Sequence, residues 1–321
     1  MVDGRFPKDN MIPPNVPAYS IGIDLGGSSV KSVAATRDGR ILVRRQVDFD
    51  PSASMDWAKR IAEVVAQIEE QQGTPAQAVG LAAPGLASRN GDAIAFMPGR
   101  LSGLEGLNWT THLHRSHPVP VLNDAHAALL GESWVGAARG LRNAILLTLG
   151  TGVGGAALVE GKLLLGEIGR AGHFGHASLD PFGKPDICGA PGSLELAMGN
   201  CTISERSNGK FATTHDLVKA YLAGDPAASG IWLDSLRRLA AGIASFINIL
   251  DPAAVIIGGG IARSGDALFV PLRTLLNEME WQPGGYSVPL VPAQLGEFAG
   301  ALGSAYRGWQ SRENPPGTRP S

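Results

Sequence analysis

The sequence carries one local pattern twice, near its start and near its middle. In both copies a short apolar run enters a glycine-rich turn, and two further short apolar runs follow. The first copy is IGIDLGGSSVKS (residues 21–32), and the second is LTLGTGVGGAAL (residues 147–158). Adjacent glycines let a turn close tightly and leave backbone N–H groups open to a ligand. The pattern predicts two related halves, each opening with a turn that faces a ligand.

The segments between and after these turns predict an α/β protein. Apolar residues recur at helical spacing over residues 55–73 and 233–250, and the pair Asp251-Pro252 ends the second pattern. Strands that alternate with helices in both halves predict two α/β lobes with a cleft between them. The predicted segments are a loose tail over residues 1–18, a smaller lobe over 19–124, a larger lobe over 125–297, a helix over 298–310 that completes the smaller lobe, and a loose tail over 311–321.

The charge, the apolar runs and the cysteine content indicate which binding partners and which cellular compartment to expect. A formal net charge of −2 gives no electrostatic reason to expect nucleic acid or an anionic membrane. No apolar run approaches the roughly 20 residues that a membrane-spanning helix needs, and the N-terminus has no signal-peptide pattern. Two cysteines in 321 residues are too few for a disulfide scaffold and favour a reducing compartment. We therefore expect a cytoplasmic protein.

The first glycine-rich turn contains groups suited to a phosphate and a metal ion. Asp24 ends the apolar strand, where a carboxylate can hold a hydrated Mg²⁺. The residues that follow include Gly26, Gly27, Ser28, Ser29 and Lys31. A plain β-hairpin with a solvated aspartate is the alternative for this segment alone. The segment is not a Walker A loop, which needs Gly-Lys-Ser/Thr in another order.

The second turn is richer in glycine than a hairpin requires. It holds Gly150, Thr151, Gly152, Gly154 and Gly155. This excess predicts a close approach of the backbone to a ligand, and the two turns together predict a grip on a polyphosphate chain from both sides. Further along, IIGGGI (residues 256–261) contains Gly259 and Gly260. These glycines either support a nucleoside ring or make a tight strand-to-helix connection.

Two further segments carry polar residues in a suggestive order. Asn123-Asp124 follows an apolar strand and precedes a helical pattern, so Asp124 is either a general base at the cleft or a helix N-cap. The stretch GHFGHASLDPFGKPDICGAPGSLE (residues 172–195) resembles a metal site with too few ligands. Its candidate side chains are those of His173, His176, Asp186, Cys188 and Glu195.

Taken together, these motifs resemble those of the ROK (repressor, open reading frame, kinase) family of sugar kinases, which share the hexokinase/actin-like, ribonuclease H-like fold. The resemblance runs from about Tyr19 to Gly308. It is carried by DLGGSSVK, AAPGL (residues 82–86), LNDA, GTGVGG, GHFGH with CGAPGSLE, and IIGGGI. The resemblance implies two lobes with ATP and a sugar in the cleft between them.

The resemblance also implies a reaction and a set of roles. The reaction is transfer of the γ-phosphoryl group of ATP to a sugar hydroxyl, with Asp124 as the base and Asp24 near Mg²⁺ through water. The sugar-binding residues implied are Gly85, Asn123, Asp124, His173, His176 and Glu195. The ATP-binding residues implied are Gly26, Gly27, Ser28, Ser29, Lys31, Gly150, Thr151, Gly152, Gly259 and Gly260. A homodimer is implied as well.

The sequence departs from the family pattern at two places. His173 stands where the family has a glutamate, which puts an imidazole that can donate or accept in place of an acceptor carboxylate. The family's zinc site uses one histidine and three cysteines, whereas here only His176 and Cys188 match, with Asp186 and Ser193 at cysteine positions. We therefore expect no structural zinc, and a loop held by hydrogen bonds and proline rigidity.

The sequence alone does not identify the sugar that accepts the phosphoryl group or the molecule that donates it. Glucose is the commonest acceptor in the family, so a glucokinase is the leading interpretation. Fructose, mannose, allose or an N-acetylhexosamine are alternatives because of His173, and inorganic polyphosphate is an alternative donor. A sugar-responsive regulator is disfavoured because about 19 proline-rich residues precede the first strand, too few for a helix-turn-helix. A non-catalytic sugar-binding protein is disfavoured by the presence of Asp124 and both turns.

Overall fold

The computed structural model describes residues 16–313, in which strands and helices alternate. The strands are β1 (Tyr19–Leu25), β2 (Ser29–Thr36), β3 (Ile41–Asp48), β4 (Ala78–Ala83), β5 (Leu86–Ala87), β6 (Ile94–Phe96), β7 (Val121–Asn123), β8 (Ala144–Leu149), β9 (Val153–Val159), β10 (Lys162–Leu163), β11 (Val255–Gly258) and β12 (Leu290–Pro292). The α-helices are α1 (Asp56–Gln72), α2 (Trp109–His112), α3 (Asp124–Val135), α4 (Leu194–Met198), α5 (Ile203–Arg206), α6 (Thr214–Leu222), α7 (Pro226–Leu250), α8 (Asp266–Asn277) and α9 (Ala299–Glu313). Short 3-10 helices cover Phe174–His176, Asn200–Thr202, Ile261–Ser264, Pro283–Gly285 and Gly296–Phe298.

The two halves have sheets of identical topology. The first sheet has the order β3-β2-β1-β4-β7, and the second has the order β10-β9-β8-β11-β12. In each sheet three antiparallel strands come first in the chain and two parallel strands extend the other side. The repeat seen in the sequence is therefore a repeat of topology. It places the β1–β2 turn and the β8–β9 turn at equivalent positions in the two lobes.

Separate apolar cores lie on the two sheets. The first sheet packs against α1, whose buried residues Trp57, Ile61 and Ile68 are spaced as an amphipathic helix requires. The second sheet packs against α4, α6, α7 and α8. Helix α7 ends at Asp251, which has a left-handed backbone (φ 44°) and is followed by a proline.

Helices α3 and α9 lie where the two sheets meet. Helix α9 packs on β1, β2 and β4 of the first sheet, and α3 packs on α9 and on β8 and β9 of the second. Glycines allow this close packing: a Cβ on Gly22 would lie 1.8 Å from the carbonyl oxygen of Ala301, and one on Gly303 would lie 1.7 Å from that of Ala127. Because α3 touches both sheets, its N-terminus stands at the mouth of the cleft between the lobes.

The final helix differs from its prediction. It covers Ala299–Glu313 instead of residues 298–310, because Trp309 and Ser311 are buried and extend the packed face. The predicted C-terminal tail therefore begins later than residue 311. Residues 1–15 of the predicted N-terminal tail and residues 314–321 of the C-terminal one lie outside the described range. Within residues 16–313, no helix combines the length and the apolar character needed to cross a bilayer.

Candidate active site

Asp124 is the first residue of α3, at the junction of the lobes. Asn123, not Asp124, caps the helix: its Oδ1 accepts the N–H groups of Ala125 (3.0 Å) and His126 (3.4 Å). The Asn123 amide donates to the carbonyl oxygen of Gly85 at 3.0 Å, which fixes the turn after β4 beside it. Gly85 has φ 99°, a conformation that favours glycine. The Asp124 carboxylate is thus left exposed to the cleft.

The electrostatics of Asp124 suit a general base. Desolvation by the surrounding protein raises the pKa of its carboxyl, although the side chain remains open to cleft solvent. The N–H of Ala125, which donates to its Oδ1 at 2.8 Å, and the nearby His173 oppose that rise without cancelling it. A carboxylate with a raised pKa is a better proton acceptor than an ordinary surface aspartate.

Asp24 lies at the end of β1, across the cleft from the start of α3. Burial raises the pKa of its carboxyl to about 7, and the negative charge of Asp124 adds to the rise. The carboxylate packs on the first turn of α9, since a Cβ on Gly300 would lie 2.5 Å from its Oδ2. A largely buried carboxylate whose proton affinity is raised further by a second carboxylate suits a divalent cation, because the positive charge offsets the repulsion.

The β1–β2 turn borders an open cavity. Gly27 helps to line this cavity of about 900 Å³ together with the loop over residues 97–105. The N–H of Gly26 donates to the carbonyl oxygen of Ser29 at 2.8 Å, which closes the turn and leaves Ser28 exposed at its tip. Lys31 pairs with Asp24 in the β1–β2 register, and its Nζ lies 3.7 Å from Glu297 Oε2.

The β8–β9 turn borders a second cavity, in the larger lobe. This cavity of about 870 Å³ is lined by three of the predicted ATP residues, Gly150, Thr151 and Gly260. Gly259 faces away from it: a Cβ there would lie 2.3 Å from the carbonyl oxygen of Leu149, so this glycine allows close packing on β8. Polar residues that sequence reasoning missed also line the cavity, namely Asn200, Thr213, Thr214, His215, Lys219, Arg263 and Ser264.

Glu195 connects this turn to the segment predicted to bind sugar. It lies in the first turn of α4, and its Oε2 accepts the N–H of Val153 at 3.0 Å. A Cβ on Gly152 would lie 2.2 Å from the same carboxylate oxygen, so the glycine makes room for Glu195. The structure therefore places a carboxylate against the β8–β9 turn.

The hydrogen bonds of His173 define how its ring is presented. Its Nδ1 lies 3.0 Å from the carbonyl oxygen of Arg170, which only a protonated nitrogen can satisfy. Burial lowers the pKa of His173, which favours the neutral ring. A neutral ring with its proton on Nδ1 has a lone pair on Nε2, and that nitrogen is an acceptor like the family's carboxylate. This tautomer is assigned from the hydrogen-bond network.

A second histidine holds this ring in place. His126, buried on α3, meets His173 edge to face with centroids 5.6 Å apart. Its Nε2 lies 2.9 Å from the carbonyl oxygen of Ala171 and so carries its proton. Burial lowers the pKa of His126 to about 4, so it stays neutral near pH 7. Sequence reasoning missed His126, whose position within the helical pattern gave no signal of this contact.

His176, Asp186 and Cys188 come together, with ligand atoms within 4.8 Å of one another. The imidazole stands between the other two side chains: Nδ1 lies 2.8 Å from Asp186 Oδ2, and Nε2 lies 3.4 Å from Cys188 Sγ. This group offers three candidate ligand atoms, one fewer than the four nitrogen or sulfur ligands of a structural zinc site, and one of the three is a carboxylate oxygen. Burial and the carboxylates of Asp186 and Glu195 raise the pKa of the Cys188 thiol, which disfavours the thiolate that zinc needs.

Hydrogen bonds close the same loop. Asp186 Oδ1 accepts the N–H groups of Cys188 (2.8 Å) and Ala190 (3.0 Å). Ser193, at a family cysteine position, is the N-cap of α4. Of the family's four zinc positions, only those of His176 and Cys188 carry the family ligand, and the hydroxyl of Ser193 is used as a helix cap, so these residues do not fit a four-ligand zinc site. The absence of zinc itself stays a prediction.

The chain matches known proteins along most of its length. The sequence model of the ROK family matches residues 20–308. A glucokinase of Thermotoga maritima is 34% identical over 307 residues, covering 89% of this chain and 95% of the relative. An N-acetylmannosamine kinase of Escherichia fergusonii is 30% identical over 290 residues, covering 89% of this chain and 97% of the relative.

A solved structure supports the same assignment. The ROK family glucokinase of Streptomyces griseus in complex with glucose and AMPPNP superposes with a TM-score of 0.77 at 28% identity, covering 91% of this chain and all (100%) of that one. The two lobes have the actin-like fold that the sequence predicts. With sugar kinases aligned over nearly their whole length, the protein is a sugar kinase, and the chain belongs to the ROK family.

Proposed function

We propose that the protein transfers the γ-phosphoryl group of ATP to a hydroxyl of a hexose, with D-glucose as the acceptor. The observation that carries this proposal is the position of Asp124. Its exposed carboxylate has a raised pKa at the N-terminus of α3, beside Gly85 and His173 and between the two glycine-rich turns. The glucokinase relative, 34% identical, supports glucose as the acceptor.

The proposed roles follow the geometry. ATP spans the cleft, with its nucleoside in the cavity lined by Gly150, Thr151 and Gly260 and its phosphates toward the β1–β2 turn. The sugar lies beside Asp124, which takes the proton of the attacking hydroxyl. Closure of the lobes excludes water, which limits hydrolysis of ATP.

The sugar-binding residues divide into acceptors and donors. Glu195 and the Nε2 of His173 accept hydrogen bonds from sugar hydroxyls. The side-chain amide of Asn123 is a donor, and it already donates one hydrogen bond to the carbonyl oxygen of Gly85. His176 shares its Nδ1 proton with Asp186, which orients its ring. Positioning by several such bonds lowers the entropy cost of reaction.

Asp24 would hold Mg²⁺ through water, which leaves the Asp124 carboxylate free to act as the base. The ion supplies charge neutralisation for the phosphates when bound. Burial and the negative charge of Asp124, which raise the pKa of Asp24 to about 7, support a cation at this end of the cleft.

An N-acetylated hexosamine is the second candidate acceptor. The N-acetylmannosamine kinase relative, 30% identical, supports it, and so does the imidazole at position 173 in place of a carboxylate. A cytoplasmic homodimer completes the proposal. The cytoplasmic location is supported by Cys188 and Cys201, which are free and exposed, as suits a reducing compartment, whereas the homodimer is proposed from the resemblance to the family alone.

A coupled ADP-release assay over a panel of hexoses and hexosamines tests the proposal. The panel holds glucose, mannose, fructose, allose, N-acetylglucosamine and N-acetylmannosamine, with ATP or polyphosphate as donor. We expect the highest kcat/KM with glucose and ATP, and a mass increase of one phosphoryl group in the product. A preference for N-acetylmannosamine would replace glucose by the second candidate. Failure of every acceptor would contradict the proposed reaction.

A further inference from the structure

The β1–β2 turn receives a cation from a distant part of the chain. Arg100 lies between β6 and α2, and its Nη2 is 2.7 Å from the point where a Cβ on Gly27 would stand. Both residues line the cavity of about 900 Å³. The guanidinium therefore rests on the backbone of the turn assigned to the phosphates.

The guanidinium of Arg100 is available to an anion. Its side chain is exposed, and among residues 16–313 it has no carboxylate as an ion-pair partner. Glu105 lines the same cavity, but its Oε1 already accepts the N–H of Met97 at 2.5 Å. Lys31, the other cation by the turn, lies beside Glu297.

The fold holds the Arg100 loop in place. Leu101 and Leu104 are 7% and 1% exposed and anchor the loop in the core of the first sheet. Leu101 has φ 50°, a left-handed conformation that persists in a non-glycine residue only where its surroundings enforce it. The N–H of Leu104 donates to the carbonyl oxygen of Leu101 at 3.0 Å and closes the turn. Arg100 thus projects from a fixed backbone.

We propose that Arg100 contacts the phosphoryl group in transfer, an inference that rests on the proposed function. The hydroxyl oxygen of the acceptor forms a bond to the γ-phosphorus while its proton passes to Asp124. The bond from that phosphorus to the bridging oxygen breaks, and ADP leaves with the electron pair. A planar guanidinium forms two parallel hydrogen bonds to the phosphoryl oxygens and stabilises their charge.

Steady-state kinetics of three variants test the inference. Arg100→Ala should lower kcat by about 100-fold, the cost of losing one charge-stabilising donor, with little change in the KM of the sugar. Arg100→Lys should recover part of the lost kcat, because lysine keeps the positive charge but cannot form the two parallel hydrogen bonds of a guanidinium. Arg139→Ala is the control, since Arg139 is exposed and lines neither cavity. An unchanged kcat, or a change confined to the KM of the sugar, would overturn the inference.

A binding measurement separates this inference from the proposed function. Calorimetry compares Mg·ADP with Mg·ADP plus beryllofluoride, which mimics the γ-phosphoryl group, and needs no acceptor. Wild-type protein and Arg139→Ala should bind the beryllofluoride complex more tightly than ADP. Arg100→Ala should bind Mg·ADP with wild-type affinity, but beryllofluoride should no longer increase that affinity. If the hexose panel fails while this gain depends on Arg100, the proposed hexose reaction is wrong but the contact of Arg100 with the γ-phosphoryl position stands. If the gain persists in Arg100→Ala, the inference is wrong whatever the panel shows.

Discussion

At Asp24 the fold keeps a carboxylate partly buried beside a second carboxylate, that of Asp124. Burial and this repulsion raise the pKa of Asp24 from 3.8 to about 7. The folded state therefore binds more protons than the unfolded state between those values, and the stability of the metal-free protein falls as pH rises through this window. Without a ligand, the cleft therefore holds a destabilising charge above the pKa of Asp24.

Removing that charge should stabilise the empty protein. We expect Asp24→Asn to raise the Tm of EDTA-treated protein at pH 8 by about 2–4 °C, which corresponds to roughly 1 kcal/mol. The same variant should show no such gain at pH 4, where the wild-type carboxyl is protonated, and it should lose activity. Differential scanning calorimetry at the two pH values measures the effect. A lower Tm for Asp24→Asn at pH 8 would show that the charge is stabilising.

His173 gives a second prediction at this scale. Its Nε2 is an acceptor only while the ring is neutral, and burial lowers its pKa below 6.5. The KM of the sugar should therefore be constant near pH 7 and rise as pH falls through this lowered pKa, because the protonated nitrogen becomes a donor. His173→Gln should lack this dependence. His173→Glu should shift the ratio of kcat/KM between glucose and N-acetylmannosamine by about 10-fold or more. An unchanged ratio would remove His173 from the sugar site.

At the scale of elements, hydrogen bonds hold the loop from His176 to Ser193, where we predict no structural zinc. Isolated bridges join Ser178 to Ser193 and Pro185 to Pro191, and Asp186 accepts bonds from His176 and two backbone N–H groups. Burial acts to raise the pKa of Asp186, but its hydrogen bonds outweigh burial and lower it. A charged acceptor thus holds the loop.

Chelation should leave this loop intact. We expect elemental analysis of the purified protein to find far less than one zinc per chain. Dialysis against EDTA followed by return of Mg²⁺ should restore full activity and the same Tm. Asp186→Ala should lower the Tm, by about 3–6 °C for the loss of several bonds to a charged group, whereas Cys188→Ser should not. About one zinc per chain, or a loss of Tm that only zinc restores, would contradict a loop without metal.

The elements also show what the sequence could predict. The three-strand pattern at each glycine-rich turn was enough to predict both hairpins and their relation, because alternation and glycine position are local properties. The roles of Gly152 and Gly259 could not be predicted from the neighbouring sequence. These glycines make room for Glu195 and for the backbone of Leu149, contacts that form only when distant segments meet.

At the scale of the whole molecule, α3 and α9 join the lobes through backbone contact. A Cβ on Gly303 would lie 1.7 Å from the Ala127 carbonyl oxygen, and one on Gly131 would lie 2.5 Å from that of Ala299. Gly303→Ala should therefore lower the free energy of unfolding by about 1–3 kcal/mol through overpacking. Gly230→Ala is the matched control: Gly230 lies within α7 with open space around it and should be neutral or stabilising. Urea denaturation measures both, and equal stability of the two variants would contradict close helix packing.

The active site shows the same limit of prediction. Motif order predicts roles for Asp124, the two turns and the histidine segment, and these roles stay predictions. Arg100 and Lys219 were missed because each comes from a segment with no motif of its own, and His126 was missed because it follows the LNDA motif without being part of it. Only the folded chain brings Arg100 to Gly27, Lys219 to Gly150 and His126 to His173.

The proposed phosphoryl transfer depends most on Asp124, whose carboxylate acts as the base and is not needed for the sugar to bind. The most direct measurement compares wild type with Asp124→Asn, using glucose binding by calorimetry and ADP release at saturating ATP. We predict that the variant binds glucose with an affinity within a few-fold of wild type while kcat falls by about 1,000-fold, as expected for loss of a general base. A near-normal kcat in Asp124→Asn would contradict the account.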